Sequence, residues 1–197
     1  IENFCLNQSV SCFRGSLDDV LDRYYRAALH YEADVIVRIT ADCPVIDPVI
    51  VDAVIAGFLG GEYDCFGLGG EFPDGLDCTV FSIGAIEKAW KKAMLPSERE
   101  HVGPYIEKNP DIFKNGVLIM YSQLSSMRWT LDEQKDLELL RIIFEELYCE
   151  GHVFHTHQIL GYIKQNPKLL TINSGIERNE GYRKSLLNEE KDSNENR

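Results

Sequence analysis

Two aspartates stand where a chain of this pattern could place chemistry. Asp42 follows Val35-Ile36-Val37-Arg38-Ile39, an apolar, β-branched run of strand length, and Asp132 follows Arg128-Trp129-Thr130-Leu131. Each acid lies between a strand pattern and a helix pattern. In open α/β sheets, side chains at the carboxyl ends of strands converge on a ligand. Two carboxylates there can hold Mg²⁺, which keeps waters and phosphate oxygens for the rest of its shell. Each acid also has a plainer role open to it: Asp42 can shape a turn and Asp132 can cap a helix. Asp74 and Asp77 flank a Pro-Asp-Gly turn, where two acids can bind sugar hydroxyls or simply make the turn.

The basic residues near turns are Arg14, Arg23, Arg38, Arg99 and Arg128. Arginine suits bidentate contact with phosphate or carboxylate. Arg38 sits inside an apolar strand and needs a partner there. His101 follows Arg99 and Glu100 in a capped helix. His152, His155 and His157 have a spacing that matches no familiar zinc site and read as surface or core histidines. The six cysteines include no CxxC pair, which argues against a zinc ribbon or a thioredoxin-type motif. Scattered thiols in an α/β pattern fit a reducing cytoplasm.

The elements that must position these groups read as alternating strands and helices. The periodicity predicts a helix over about 17–31, opened by Ser16, then a buried strand over 35–39. Asp47-Pro48 opens a helix that Gly60-Gly61 stops. Short strands are expected over 10–13, 63–66, 76–81, 117–120 and 128–131, with Gly67 to Gly70 as a mobile loop between two of them. Helices are expected over 83–94, from the Ser97-Glu98-Arg99-Glu100 capping box to about 109, and over 133–149 and 156–165. Strand and helix in alternation imply βαβ units and a sheet with parallel strands.

The 197 residues suffice for one domain, expected over 1–187, with a polar, disordered tail over 188–197. A net charge of −12 opposes a nucleic-acid partner, whose phosphates require a basic face. No apolar run is long enough to span a bilayer. The chain starts at Ile1, and its first residues read as the middle of a domain.

Five motifs occur in fixed order: Arg14-Gly15-Ser16-Leu17-Asp18-Asp19-Val20-Leu21-Asp22-Arg23-Tyr24; Arg38-Ile39-Thr40-Ala41-Asp42-Cys43-Pro44; Phe72-Pro73-Asp74-Gly75-Leu76-Asp77; Ser97-Glu98-Arg99-Glu100-His101-Val102; and Arg128-Trp129-Thr130-Leu131-Asp132. Together they resemble the cytidylyltransferase family typified by the spore-coat polysaccharide biosynthesis protein SpsF, which is related to the enzymes that activate acylneuraminate and 3-deoxy-manno-octulosonate. The segment Ile176–Tyr182 is also similar to members of the group. The likeness covers nearly the whole chain. It implies an α/β, Rossmann-like three-layer α/β/α nucleotide-diphospho-sugar transferase fold with a mixed, mostly parallel sheet. It implies CTP as donor, Mg²⁺ as cofactor, a sugar or sugar acid as acceptor and a cytoplasmic enzyme, with a homodimer by analogy. On this resemblance Asp42 and Asp132 are the catalytic metal ligands, and Arg14, Ser16, Arg23 and Asp42 lie on the nucleotide side. Asp74, Asp77, Arg99, Glu100, His101 and Arg128 are the substrate-binding candidates.

The sequence departs from the family pattern in two places. Ala41 stands where Gly is usual before the metal aspartate. The family's opening strand and loop, of the type A-R-x-x-S-x-R-L-P-G-K, which wraps the triphosphate, is not in this sequence, and a longer parent protein is expected to carry it. The expected reaction is transfer of CMP from CTP to a sugar, with release of pyrophosphate, for surface polysaccharide or glycan synthesis. Two alternatives stand beside it: a nucleotide-sugar glycosyltransferase of the same fold, which would usually show a D-x-D motif, and a non-catalytic fragment that binds or assembles with a partner.

Overall fold

The computed structural model of the chain describes residues 1–195. The packing divides it into two compact units. One comprises residues 1–36, 82–113 and those from Gly181; the other comprises 37–81 and 114–180.

The second unit carries most of a four-stranded mixed sheet. Its strands are β1 (Val35–Ile39), β2 (Cys65–Gly70), β3 (Cys78–Ser82) and β4 (Asn115–Tyr121), in the order β1-β3-β2-β4. β2 runs antiparallel to β3 and parallel to β4. Helices α3 (Pro48–Leu59), α7 (Gln134–Leu147) and α8 (Thr156–Gln165) supply Ile50, Val54, Phe58, Leu139, Leu140, Ile143, Ile159 and Ile163 to a core shared with Phe66, Val80 and Trp129. Phe66 sits where Cβ atoms at Gly57 or Gly116 would come within 2.5 Å and 2.6 Å of its ring, so only glycine fits at either position.

Helix starts follow local chemistry. The Asp47 carboxylate accepts from the Val49 amide, and Pro48 fills the first turn of α3, as the sequence predicts. The same carboxylate accepts from the Thr156 amide at the start of α8 and bonds His155 Nδ1 at 2.9 Å. One buried acid therefore anchors two helix ends. Burial raises its pKa, but the His155 bond and the Thr156 and Val49 amides outweigh that, and the net direction is down.

The first unit packs α2 (Val20–His30), α4 (Ile83–Lys92), α5 (Pro96–His101) and α6 (Pro104–Glu107) around buried Leu21, Ala28, Ile86, Ala89, Val102 and Ile106. Its first helix, α1 (Glu2–Asn7), lies in a stretch that sequence reading left without one, and the strand expected over 10–13 does not form. Val10 instead donates its N–H back to the Cys5 carbonyl, closing the end of α1. Asp19, not Ser16, caps α2, accepting from the Asp22 amide at 2.9 Å; the Ser16 hydroxyl accepts from the Asp19 amide one turn earlier. In α5 the first position is Pro96, and Glu98 reaches back to the Leu95 amide, so the serine of the expected capping box is not the cap.

Three other expectations are corrected. The strand over 35–39 is not buried: it lies at the sheet edge and leaves Val35, Val37 and Ile39 36–38% exposed. Gly67 to Gly70 are strand, not loop, because β4 offers a parallel ladder from Cys65 to Gly70 that satisfies their backbone. The polar stretch from 188 continues α9 (Glu180–Glu195), and Glu189 accepts from the Ser97 amide at 2.5 Å. That side-chain anchor, absent from any composition argument, holds the helix where a tail was expected; residues 196 and 197 lie outside the described residues.

Candidate active site

The site is built in the second unit from three short segments sewn together by backbone hydrogen bonds. The central segment is 127–132. On one side Asp74 donates its N–H to the Met127 carbonyl at 2.9 Å, and Trp129 donates to the Asp74 carbonyl at 2.7 Å, a short parallel bridge. On the other side Leu131 donates to the Asp42 carbonyl at 2.8 Å, and the Thr130 hydroxyl donates to the same oxygen at 3.1 Å. The strand expected over 128–131 is therefore a stitch between two turns and not a fifth strand. It brings the Asp74 backbone beside Arg128 and the Asp42 backbone beside Leu131, next to Asp132, although the three segments are far apart in sequence.

Gly75 makes the stitch feasible. Its φ is +99°, and a Cβ there would lie 2.5 Å from the Thr130 nitrogen. Any L side chain would meet both the wrong backbone region and a wall of backbone. The Pro-Asp-Gly turn is thus as much a docking surface for 129–130 as a turn.

Arg128 lies at the centre and is only 7% exposed. Its guanidinium donates from Nε to both Asp136 oxygens, from one terminal nitrogen to Asp74 Oδ2 at 2.9 Å, and from the other to Asp132 Oδ2 at 2.7 Å and Asp136 Oδ2 at 2.9 Å. Asp136 is fully buried and also accepts from Asn173 and from the amides of 132 and 133. Burial raises the Asp136 pKa, but the Arg128 and Asn173 bonds and the two amides outweigh it, and the net direction is down. Asp74 goes the other way: burial first, then repulsion from Asp77, push its carboxyl up despite Arg178 and Arg128. Desolvation opposes the Arg128 charge, but Asp136, Asp132 and Asp74 more than compensate and raise it.

The outer part of the site is less committed. Asp77 accepts from the Gly75 amide and from Arg178, whose guanidinium lies 4.2 Å from the Phe72 ring centroid and also donates to the Phe72 carbonyl. Buried Cys43 stands beside Asp42 and Asp77; burial and these two acids push its thiol up to about 12, so it is no thiolate nucleophile. Asp132 is 49% exposed and gives only Oδ2 to Arg128, while Asp42 engages the Cys43 thiol through Oδ1. Each thus has a second oxygen that takes no hydrogen bond among the described residues. Among these residues no group of three or more His, Cys, Asp or Glu converges to hold a metal ion.

The other sequence-based site residues lie in the first unit. Arg14 is exposed and pairs with Glu2; Arg23 donates to the Ser16 carbonyl, which holds the Arg14–Ser16 turn on α2. Arg99 spends its whole guanidinium on the Asp19 carboxylate and the Trp90 carbonyl. Glu100 and His101 both meet Ser185 of α9, and the His101 ring stands edge-on to Tyr182. Arg99 and Arg128 were expected to bind substrate; in the structure each of their guanidinium nitrogens has a protein acceptor. Asp74 is likewise buried against Arg128 and Arg178. Asp136, Asn173 and Arg178 were not singled out from the sequence. Asp136 had one signal, its i+4 and i+8 spacing from Asp132 and Arg128, but an acid in a first helical turn reads as a cap.

The family model for cytidylyltransferases matches residues 1–166. A structure of a cytidylyltransferase from Leptospira borgpetersenii superposes with a TM-score of 0.82 at 32% identity, covering 90% of this chain and 75% of that one. The chain belongs to the cytidylyltransferase family, with a Rossmann-like α/β fold, and is a nucleotidyltransferase by family. Among its relatives are the uncharacterized protein MJ1063 of Methanocaldococcus jannaschii, 37% identical over 187 residues (93% of this chain, 74% of the relative), and the spore coat polysaccharide biosynthesis protein SpsF of Bacillus subtilis, 27% identical over 181 residues (87% and 72%). No helix among the described residues is long and apolar enough to cross a membrane.

Proposed function

We propose that this protein transfers CMP from CTP to a sugar or sugar acid and releases pyrophosphate, in the synthesis of a surface polysaccharide or glycan. An acceptor oxygen attacks the α-phosphorus, the new P–O bond forms, and the bond to pyrophosphate breaks in line. The observation that supports this reading is the bonding of Leu131 and Thr130 to the Asp42 carbonyl, which brings the Asp42 backbone beside the residue that precedes Asp132.

Asp42 and Asp132 fit Mg²⁺, which is commonly held by one or two carboxylates together with substrate phosphates. Bound there, the ion would neutralise charge on the phosphates. Two acids with no third ligand among the described residues suit an ion that arrives with nucleotide. The chain's own residues contribute position: Gly75 and Thr130 fix the two turns, and Asp136 and Asp74 fix Arg128. A glycosyltransferase reading has no D-x-D motif to support it.

The test is pyrophosphate release from CTP and Mg²⁺ with a panel of sugars and sugar acids, assayed on the full-length protein. Asp42→Ala is expected to lower the rate at least about a hundredfold, the scale of losing a group that stabilises transition-state charge. An Asp42→Ala protein with unchanged pyrophosphate release overturns the assignment.

A further inference from the structure

Arg128 has an unusual division of labour, and from it we infer that Arg128 is a positioning residue that aims Asp132 without neutralising it. This rests on the reading of Asp42 and Asp132 as cation ligands. An arginine beside a metal-binding carboxylate is ordinarily a rival to the metal, because its charge satisfies the acid the ion needs. Here the rivalry is limited by what else Arg128 holds. Asp136 takes Nε twice and one terminal nitrogen, and Asp74 takes the other terminal nitrogen. Asp136 is fully buried and Asp74 is 7% exposed, so both contacts are shielded from water. Asp132 receives a single bond, at 2.7 Å, on a side chain that is 49% exposed. Exposed pairs of this kind are weak, whereas buried charged hydrogen bonds are costly to break.

The consequence is a guanidinium that cannot follow Asp132 outward. Asp136 and Asp74 hold it back, and the terminal nitrogen it shares with Asp136 fixes Asp132 through Oδ2 and leaves Oδ1 for a cation. Asn173 strengthens the hold: its side-chain amide donates to both the Arg128 carbonyl and Asp136 Oδ1, each at 2.9 Å. The charges agree. Asp74, Asp77, Asp132 and Asp136 face two guanidinium groups, those of Arg128 and Arg178, so Arg128 lessens the acidity of this edge without cancelling it.

The test is a double-mutant cycle read by Mn²⁺ binding, followed by electron paramagnetic resonance in the presence of CTP on the full-length protein. Arg128→Lys keeps the charge but cannot span three acids. It is expected to weaken Mn²⁺ binding about tenfold in the folded protein. Asp132→Asn should weaken it at least as much, and the double variant should be little worse than Asp132→Asn alone, because the tether acts only through that carboxylate. Unchanged Mn²⁺ affinity in folded Arg128→Lys, or losses that simply add, overturns the inference. Should Arg128→Lys fail to fold, ¹⁵N signals of the Arg128 side chain in the wild-type protein decide: on Mg²⁺ addition the terminal nitrogen facing Asp132 should shift while Nε stays. An Arg128 that does not respond while the ion binds sinks the inference. Asp42→Ala serves as the control for the underlying reading. If it leaves Mn²⁺ binding intact, the cation is elsewhere and that reading fails; if it abolishes binding while the cycle shows no coupling, only the role of Arg128 fails.

Discussion

Arg99 in the first unit and Arg128 in the second are each tied to an acid far along the sequence, and the two knots differ in charge balance. In the first unit Arg99 meets one acid, Asp19, 80 residues away, and turns its remaining donor to the Trp90 carbonyl. In the second, Arg128 meets three acids, the most distant, Asp74, 54 residues away. The Arg99 knot is closed: one charge against one, with the Asp19 side chain 32% exposed. The Arg128 knot is left acidic, with Asp132 still half exposed. A protein gains nothing in stability from surplus like charge, so a cluster left short of cations points to chemistry where a balanced one points to architecture.

The largest expected effect tests the deeper knot. Arg128→Met should cost about 3–5 kcal/mol, the range for removing one partner of a buried ion pair and stranding the rest. Urea unfolding measures it. A cost under about 1 kcal/mol would mean that Asp74 and Asp136 are not buried charges at all.

The comparison sharpens within the knot, between two acids four residues apart. Asp136→Asn removes the partner that takes three Arg128 bonds and two backbone amides, and should cost about 3 kcal/mol or more. Asp132→Asn removes one half-exposed bond and should cost within about 1 kcal/mol while lowering pyrophosphate release sharply. Equal stability losses for the two would erase the distinction between clamp and ligand. Arg99→Met should fall between, at roughly 1–2 kcal/mol: its hydrogen bonds are charged but partly solvated.

These contrasts also show what could be read in advance. Helix α3 was legible to the residue, because Asp47-Pro48 opens it and Gly60-Gly61 closes it, and the bounds expected for α8 are those observed. Asp42 and Asp132 stood out because strand-to-helix junctions mark ligand positions in α/β sheets. The clamps were not legible. Arg99 and Arg128 were read as substrate contacts on the family resemblance, and two of their acceptors, Asp19 for Arg99 and Asp74 for Arg128, lie 80 and 54 residues away, beyond any spacing rule. Asp136 looked like a cap, and it is one, yet its burial under Arg128 depends on the stitch through 127–132. The glycines of β2 looked like a loop because their intrinsic preference is weak and a neighbouring strand outvotes it.

The smallest expected effect is a matter of sign. The Asp136 and Asp47 carboxyls are held below their unfolded values, so the stability they provide is present above about pH 4 and is lost as pH falls through their folded pKa values. Asp74 is raised, so the folded protein takes up its proton first, and stability gained from it grows as pH falls from its folded pKa toward about 4. The wild-type protein should therefore show a slight rise in stability on mild acidification before the steep acid loss. Asp74→Asn, which carries no proton to gain, should lose the rise and keep the loss. Urea midpoints between pH 3 and pH 7 would read both limbs. If the rise persists in Asp74→Asn, the raised group is another one, and the Arg128 cluster is less crowded with charge than its geometry implies.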